Sequence, residues 1–360
     1  MKTRRSIFKT NGAMSRGERN SECDREKREM TRKSRNFSLH SLHFTGKLLA
    51  LSASRYLIAG LIVIHLLPLH LVGCVDKPPK KRVRLAVSEA RNQNNRAEQP
   101  RKVPLRVAIA AVISPRESFK LYSQLLDYLS EKLERPAEFM QRGAYAEVND
   151  LVRYGECDVA FVCGYAYVQG NRDFGMQILV VPQVQGKTVY HSYIIVPKDS
   201  SVKKLEDLRG KTFAFSDPLS NSGRLSPTYL LLEMGETPES FFKKFVFTYS
   251  HDNSIKAVAE KLVDGAAVDS LVYDYMIAIH PDLDDKIKKI NVSPPYGIPP
   301  VVVHPQIDPK LKEKLQTIFL NMHKDKKGRE ILTQLMIDRF VLGDDSDYDS
   351  MREMAAKVGF

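Results

Sequence analysis

The residues best suited to chemistry in this chain lie in one stretch, Ser216-Asp-Pro-Leu-Ser-Asn-Ser-Gly-Arg-Leu-Ser-Pro-Thr-Tyr229. Upstream, Lys211-Thr-Phe-Ala-Phe215 alternates as a strand does; downstream, Leu225, Tyr229, Leu230 and Leu232 recur at helical spacing before Gly235. The stretch is therefore a strand-to-helix loop opening on a helix N-terminus. Such a terminus carries unpaired N–H groups and a partial positive charge, which suit a tetrahedral anion. Ser220, Asn221 and Ser222 add side-chain donors, and Gly223 lets backbone approach closely. The same residue types also make an ordinary helix cap with no ligand, so the elements around them have to decide.

The chain has 360 residues, 43% of them apolar and 27% charged, enough for two globular lobes. Its formal net charge of +12 raises nucleic acid or an acidic membrane as partners. Much of that excess sits upstream of residue 104, and aromatics do not interleave with Lys and Arg as in a stacking platform, so no nucleic-acid partner is expected. The four cysteines are Cys23, Cys74, Cys157 and Cys163. None belongs to a C-x-x-C or Cys/His cluster, so neither a structural metal nor a cofactor is expected. Cys157 and Cys163 flank a short strand and are expected as buried free thiols.

In chain order, residues 1–47 are a basic leader without apolar periodicity. Residues 48–73 hold an apolar run from Tyr56 to Gly73, preceded by Arg55 and ending in Leu71-Val-Gly-Cys74. A basic flank, an apolar core and small residues before a cysteine are what a secretory signal requires, and the ending resembles a bacterial lipobox. Cys74 is thus expected to carry lipid, holding the protein on the outer face of a bacterial membrane. An uncleaved membrane anchor is the alternative, although Gly60, His65, Pro68 and His70 weaken that reading. Residues 74–103 form a basic tether too poor in apolar groups to offset the entropy of ordering.

The folded body begins at Pro104 with the nearly continuous apolar strand Leu105-Arg-Val-Ala-Ile-Ala-Ala-Val112. Helix-spaced Phe119, Tyr122, Leu125, Leu126, Leu129 and Leu133 follow, and strands and helices then alternate to the C-terminus. That order implies an α/β architecture with mainly parallel sheets.

Four pieces of this body carry a resemblance: Asp217-Pro-Leu-Ser-Asn-Ser-Gly-Arg-Leu-Ser-Pro227, Tyr190-His-Ser-Tyr-Ile-Ile-Val-Pro-Lys-Asp199, Gly155-Glu-Cys-Asp-Val-Ala160 and Pro295-Tyr-Gly-Ile-Pro-Pro300. In order and approximate spacing they resemble the PhnD-type phosphate/phosphite/phosphonate-binding proteins of bacterial ABC importers. The resemblance implies a type II periplasmic binding protein: two α/β lobes, two crossover segments and a ligand cleft between them. Lobe one would be residues 104–193 plus 300–360 and lobe two 194–299, with crossovers near 193–198 and 292–302. It further implies an oxyanion cradle at Ser220, Asn221 and Ser222, and Tyr145 and Tyr190 closing on the anion from lobe one. His251 would stand on the ligand side, and Asp269 would accept a P–OH proton. Aminophosphonate binders carry an Asp in the Pro-rich crossover where this chain has Ile298-Pro299-Pro300, which points to phosphate, phosphite or a small alkyl phosphonate. The implied partners are an ABC permease and ATPase, with the binding protein itself a monomer. Two other classes remain in view: an oxyanion-sensing domain for a membrane signalling partner, and an enzyme for which Cys163 and His251 are the candidate groups.

Overall fold

The computed structural model describes residues 102–360. The leader 1–47, the apolar segment 48–73, Cys74 and the tether up to residue 101 lie outside the described residues. The elements run β1 (Leu105–Ile109), α1 (Pro115–Leu133), β2 (Ala137–Gln141), α2 (Tyr145–Arg153), β3 (Val159–Phe161), α3 (Gly164–Phe174), β4 (Gln177–Gln183), β5 (Val189–Tyr190) and β6 (Ser192–Pro197). They continue with β7 (Thr212–Phe215), α4 (Ser226–Glu233), α5 (Pro238–Phe241), β8 (Lys244–Phe247), α6 (His251–Ala259), β9 (Gly265–Asp269), α7 (Ser270–Ile279) and β10 (Ile287–Val292). The last are β11 (Tyr296–Gly297), β12 (Val301–Val303), α8 (Pro309–Asn321), α9 (Lys326–Gln334), β13 (Arg339–Val341) and α10 (Asp349–Val358).

The strands form two sheets. The first has the order β13-β4-β12-β3-β1-β2 and the second β10-β6-β9-β7-β8. Both are mixed, where the alternation of elements predicts mainly parallel pairing. The βαβ units give the parallel pairs β1–β2, β1–β3, β7–β8 and β7–β9. The strands that bring the chain into or out of each lobe run against them: β12 against β3 and β4, and β6 against β9 and β10. A chain that crosses between lobes and returns must reverse direction in each sheet, and a reversed neighbour pairs antiparallel.

A third, two-stranded ribbon joins the halves: Tyr190 pairs with Tyr296 and Val189 with Gly297, antiparallel. The first crossing therefore lies in this ribbon, while residues 192–197 are already a strand of the second sheet, with Tyr193 opposite Val268. At Gly297 a Cβ would stand 2.7 Å from the Asp347 carbonyl oxygen, so glycine is what lets the ribbon rest on the C-terminal segment.

Apolar faces account for the layering. The β1 side chains bury all but Arg106, and Leu105, Val107 and Ile109 pack with Leu125 and Leu129 of α1 and Phe319 of α8. In the second lobe Phe213, Phe215, Phe241 and Phe242 form an aromatic cluster, with Phe213 and Phe242 stacked at 4.4 Å. Each such fully buried side chain contributes roughly 1.5–3 kcal/mol. A further cluster belongs to neither sheet alone. It joins Tyr145 of α2, Tyr190 and Tyr296 of the ribbon, Leu225, and Met351 of α10, and it lies where the two halves meet. Cys157 and Cys163 are free and buried on either side of β3. Among the described residues, no helix is long and apolar enough to cross a membrane, and no cluster of His, Cys, Asp and Glu is placed to hold a metal ion.

Candidate oxyanion site

Strand β7 ends at Phe215, and the loop that follows closes into one wide π-helical turn, Asn221–Leu225, which runs directly into α4. Ser220 caps the turn: its Oγ accepts the Gly223 N–H at 3.0 Å. Ser216, Ser220, Asn221 and Ser222 are all completely buried. The turn is pinned from both sides, since the Ser216 N–H donates to the Gly223 carbonyl at 3.3 Å and Ser192 Oγ donates to the Ser222 carbonyl at 2.6 Å.

His251 is the first residue of α6, and it reaches the cradle through Ser220. Its Nδ1 accepts the Asp269 N–H at 3.1 Å, and its Nε2 lies 3.4 Å from Ser220 Oγ. Burial lowers its pKa to about 3, so the ring is neutral. A backbone N–H can only donate, so Nδ1 has no proton and Nε2 carries it. Ser220 Oγ then accepts from both Nε2–H and the Gly223 N–H. Its own O–H remains as a donor. His251 is thus a positioning residue that fixes the polarity of the Ser220 hydroxyl.

Asp269, at the end of β9, caps α7: its Oδ1 accepts the Leu271 and Val272 N–H groups at 2.7 and 3.3 Å. Burial nevertheless dominates and pushes its pKa up to about 7.

The other half supplies Tyr145, the first residue of α2, whose main-chain N–H donates to Asp217 Oδ2 at 3.1 Å. A loop of the second lobe therefore caps a helix of the first. Tyr190 comes from the ribbon, not from a lobe sheet, and its hydroxyl accepts from Asn221 Nδ2 at 3.0 Å. Cys163, at the start of α3, accepts the Asn221 N–H on Sγ at 3.4 Å. Burial pushes its thiol up to about 11, so it is protonated near neutral pH. Two more bonds cross between the halves, from the His251 N–H to the Val112 carbonyl at 2.9 Å and from the Ser114 N–H to Asp252 Oδ1 at 2.7 Å.

All seven residues expected at the site are thus buried. The tyrosine hydroxyls are raised, first by burial and then by neighbours they share: Cys163 and Asp269 act on both Tyr145 and Tyr190. Four polar atoms of the residues described above have no hydrogen-bond partner within the chain: Tyr145 Oη, Ser216 Oγ, Asn221 Oδ1 and Ser222 Oγ. Buried polar groups are nearly always paired, so unpaired ones in one place mark a spot where an external partner belongs.

Sequence reasoning did not find the roles of Asp217 and Ser192, and it singled out Cys163 without its bond to Asn221, because each acts through partners tens of residues away. Nor did it find the role of Arg224. That guanidinium turns away from the cradle and lies over Phe215 at 4.5 Å and Phe360 at 5.6 Å, with Phe245 and Phe247 completing the cage. It anchors the turn by cation–π contact and does not serve as a ligand for the anion.

Two α/β halves joined by a short ribbon, with polar side chains of both converging between them, define a cleft-type solute-binding protein. The family model for the periplasmic substrate-binding protein of phosphonate ABC transporters matches residues 107–348, and the chain belongs to this family. It is 28% identical over 216 residues to the phosphonates-binding periplasmic protein of Escherichia coli K12, covering 59% of this chain. The match spans 64% of the length of that relative. Among solved structures, a binding-protein component of a Pseudomonas aeruginosa ABC phosphonate transporter shares the fold with a TM-score of 0.68 at 23% identity, covering 71% of this chain and 87% of the other. A Prochlorococcus marinus protein in complex with methylphosphonate gives 0.65 at 22% identity, covering 71% and 98%.

Proposed function

We propose that this chain is an extracytoplasmic receptor that captures a protonated tetrahedral phosphorus oxyanion, namely phosphate, phosphite or a small phosphonate, and hands it as a monomer to an ABC permease and ATPase. The observation that carries this reading is the pair of buried, unpartnered hydroxyls Tyr145 Oη and Ser222 Oγ, contributed by opposite halves, beside a Ser220 hydroxyl left with only its proton to give. Hydrogen bonds to a charged group contribute roughly 1.5–3 kcal/mol each. Three or four of them, held in place in advance, suffice for about micromolar capture. Asp269 supplies the complementary acceptor for a P–OH proton. A fully ionised tetrahedral anion such as sulfate has no proton to offer, so above about pH 7, where Asp269 is ionised, its carboxylate would be left unpaired.

Catalysis finds little support in the cluster. The Cys163 thiol is pushed up, not activated, and both nitrogens of the neutral His251 ring are committed to structural bonds.

The test uses Ser222→Ala and Tyr145→Phe. Neither hydroxyl has a partner within the chain, so removing it should leave the melting temperature unchanged or slightly higher. Oxyanion affinity by calorimetry should fall by about 1–3 kcal/mol per variant. The fall in radius of gyration that phosphate or methylphosphonate produces in the wild type should shrink in Tyr145→Phe, because closure is driven by the ligand's preference for the closed form. Wild-type affinity in both variants would place the ligand elsewhere.

Attachment is a separate part of the proposal. Cys74 is the lipidated N-terminus of the mature protein, with more than one acyl chain, since a single chain holds only marginally. Intact mass and detergent partitioning of Cys74→Ala check this. Cleavage and membrane retention of that variant would rule the lipid anchor out.

A further inference from the structure

A tetrahedral oxyanion held by three of its oxygens presents its fourth substituent away from the donors, and what lies on that side sets the class of ligand. Here it is a cavity of about 160 Å³ between the two halves. Ala110, Val112, Tyr122 and Phe161 line it from the first half and Leu271 and Val272 from α7. Asp269 is part of the same wall.

Two observations place the cavity directly beside the cradle. Ala110, Val112 and Leu271 belong to the cluster that packs around Tyr145 and Tyr190, so one set of side chains separates and serves both spaces. Asp269 lines the cavity, and its main-chain N–H donates to His251 Nδ1 at 3.1 Å, whose Nε2 lies 3.4 Å from Ser220 Oγ of the cradle. Asp269 therefore stands at the junction.

The lining contains no lysine, arginine or histidine. Its other carboxylate, Asp274, is exposed and belongs to the rim. The Ser118 hydroxyl, which also faces this region, already donates to the Ile113 carbonyl at 2.9 Å. Apart from the Asp269 carboxyl and the Tyr122 hydroxyl, the inner wall thus offers apolar surface. An apolar protein cavity of about 150 Å³ is large enough to take benzene. A single methyl group would use only a small part of this one.

Resting on the oxyanion reading above, we propose that the preferred ligands are phosphonates, or phosphate monoesters of the same shape, whose organic substituent is neutral and apolar and about the size of a butyl chain or a phenyl ring. The head group sits in the Ser220–Ser222 cradle and the substituent fills the cavity past Asp269. A second anionic group on the ligand is disfavoured by Asp269. With Asp269 engaged by the P–OH of the head group, a terminal ammonium finds no other carboxylate on the inner wall, and its desolvation goes uncompensated.

Calorimetry on the full chain with methyl-, n-butyl-, phenyl- and 2-aminoethylphosphonate tests this. Each buried methylene should tighten binding by about fourfold. The butyl and phenyl ligands should therefore bind at least about tenfold more tightly than methylphosphonate, and the aminoethyl ligand no more tightly than methyl. Leu121, on α1, lines the cavity and packs with Ile195, Val268 and Val272 and not with the cluster around Tyr145 and Tyr190. Leu121→Asn should bring butyl- and phenylphosphonate close to the methyl level while methylphosphonate affinity and the melting curve stay near wild type. If methylphosphonate binds but the larger ligands bind equally or less well, the substituent proposal is wrong and the oxyanion reading stands. If the aminoethyl ligand binds most tightly, the cavity selects a cation and the proposal is likewise wrong. If none of the four binds, both readings fail together.

Discussion

Gly223→Ala is expected to remove measurable oxyanion binding and to lower stability by about 1–3 kcal/mol, the usual cost of overpacking a well-filled site. A Cβ at this position would collide with Ser216 Oγ and would stand 2.8 Å from Ser216 Cβ and 2.9 Å from His251 Cε1. Neither neighbour can yield. Ser216 is fully buried with its N–H bonded to the Gly223 carbonyl, and His251 is held through its own N–H and both ring nitrogens. The turn would have to open, separating the Gly223 N–H from Ser220 Oγ and displacing Ser222. The effect on binding should exceed that of Ser222→Ala, because the whole cradle moves and not one donor. Calorimetry with phosphate and methylphosphonate, alongside thermal melting, measures both parts. A folded Gly223→Ala protein with wild-type affinity would show that this turn is not where the anion binds.

The second large effect concerns Asp269 and pH. Its carboxyl titrates near 7 in the folded protein, against an ordinary value of 3.8. Below about pH 4 both folded and unfolded chains carry the proton, and the residue costs nothing. As pH rises from about 4 to 7 only the unfolded chain releases it, so stability falls, and above 7 the full cost is present. Three units correspond to roughly 4 kcal/mol as an upper value. His251 works in the opposite sense. Held neutral with a pKa of about 3 against 6.5, it loses stability as pH falls from 6.5 toward 3, where only the unfolded chain gains the proton. Between about pH 4 and 6.5 the two contributions oppose each other.

Asp269→Asn keeps the Oδ1 acceptor for the Leu271 and Val272 N–H groups and removes one of the two slopes. The variant should match the wild type near pH 4, exceed it by about 2–4 kcal/mol at pH 7.5, and gain stability steadily between pH 4 and 6.5. Its affinity for a P–OH-bearing oxyanion should fall, because an amide N–H₂ replaces the oxygen that accepts the proton. Urea denaturation at a series of pH values gives the first result. A wild-type-to-variant difference independent of pH would mean that Asp269 is not held protonated in the fold.

Much of the site could be read from local sequence, because its central device is local. A serine capping a helix-opening turn acts over three residues, and the Ser220-Asn-Ser-Gly223 run between an alternating strand and a helical pattern displays all its parts at once. The apolar strand at 105–109 and the alternation of strands with helices were legible for the same reason, since periods of two and of about 3.6 residues are properties of short segments. Chain direction within the sheets was not legible. Whether β6, β10 and β12 run with or against their neighbours depends on where the chain crosses between halves, and the ribbon at Tyr190 and Tyr296 is set by a pairing across more than a hundred residues. The same limit applies to the electrostatics. The residue types at 251 and 269 were evident, but a neutral histidine with its proton on Nε2 and a carboxyl titrating near 7 arise only when packing strips away water and assigns each nitrogen and oxygen a partner. Asp217 capping α2, Cys163 receiving the Asn221 N–H, the phenylalanine cage around Arg224 and the cavity beyond Asp269 are products of the two halves meeting. The sequence by itself determined which groups would be offered to an anion; the tertiary structure decided which of them are already satisfied and which are left to bind it.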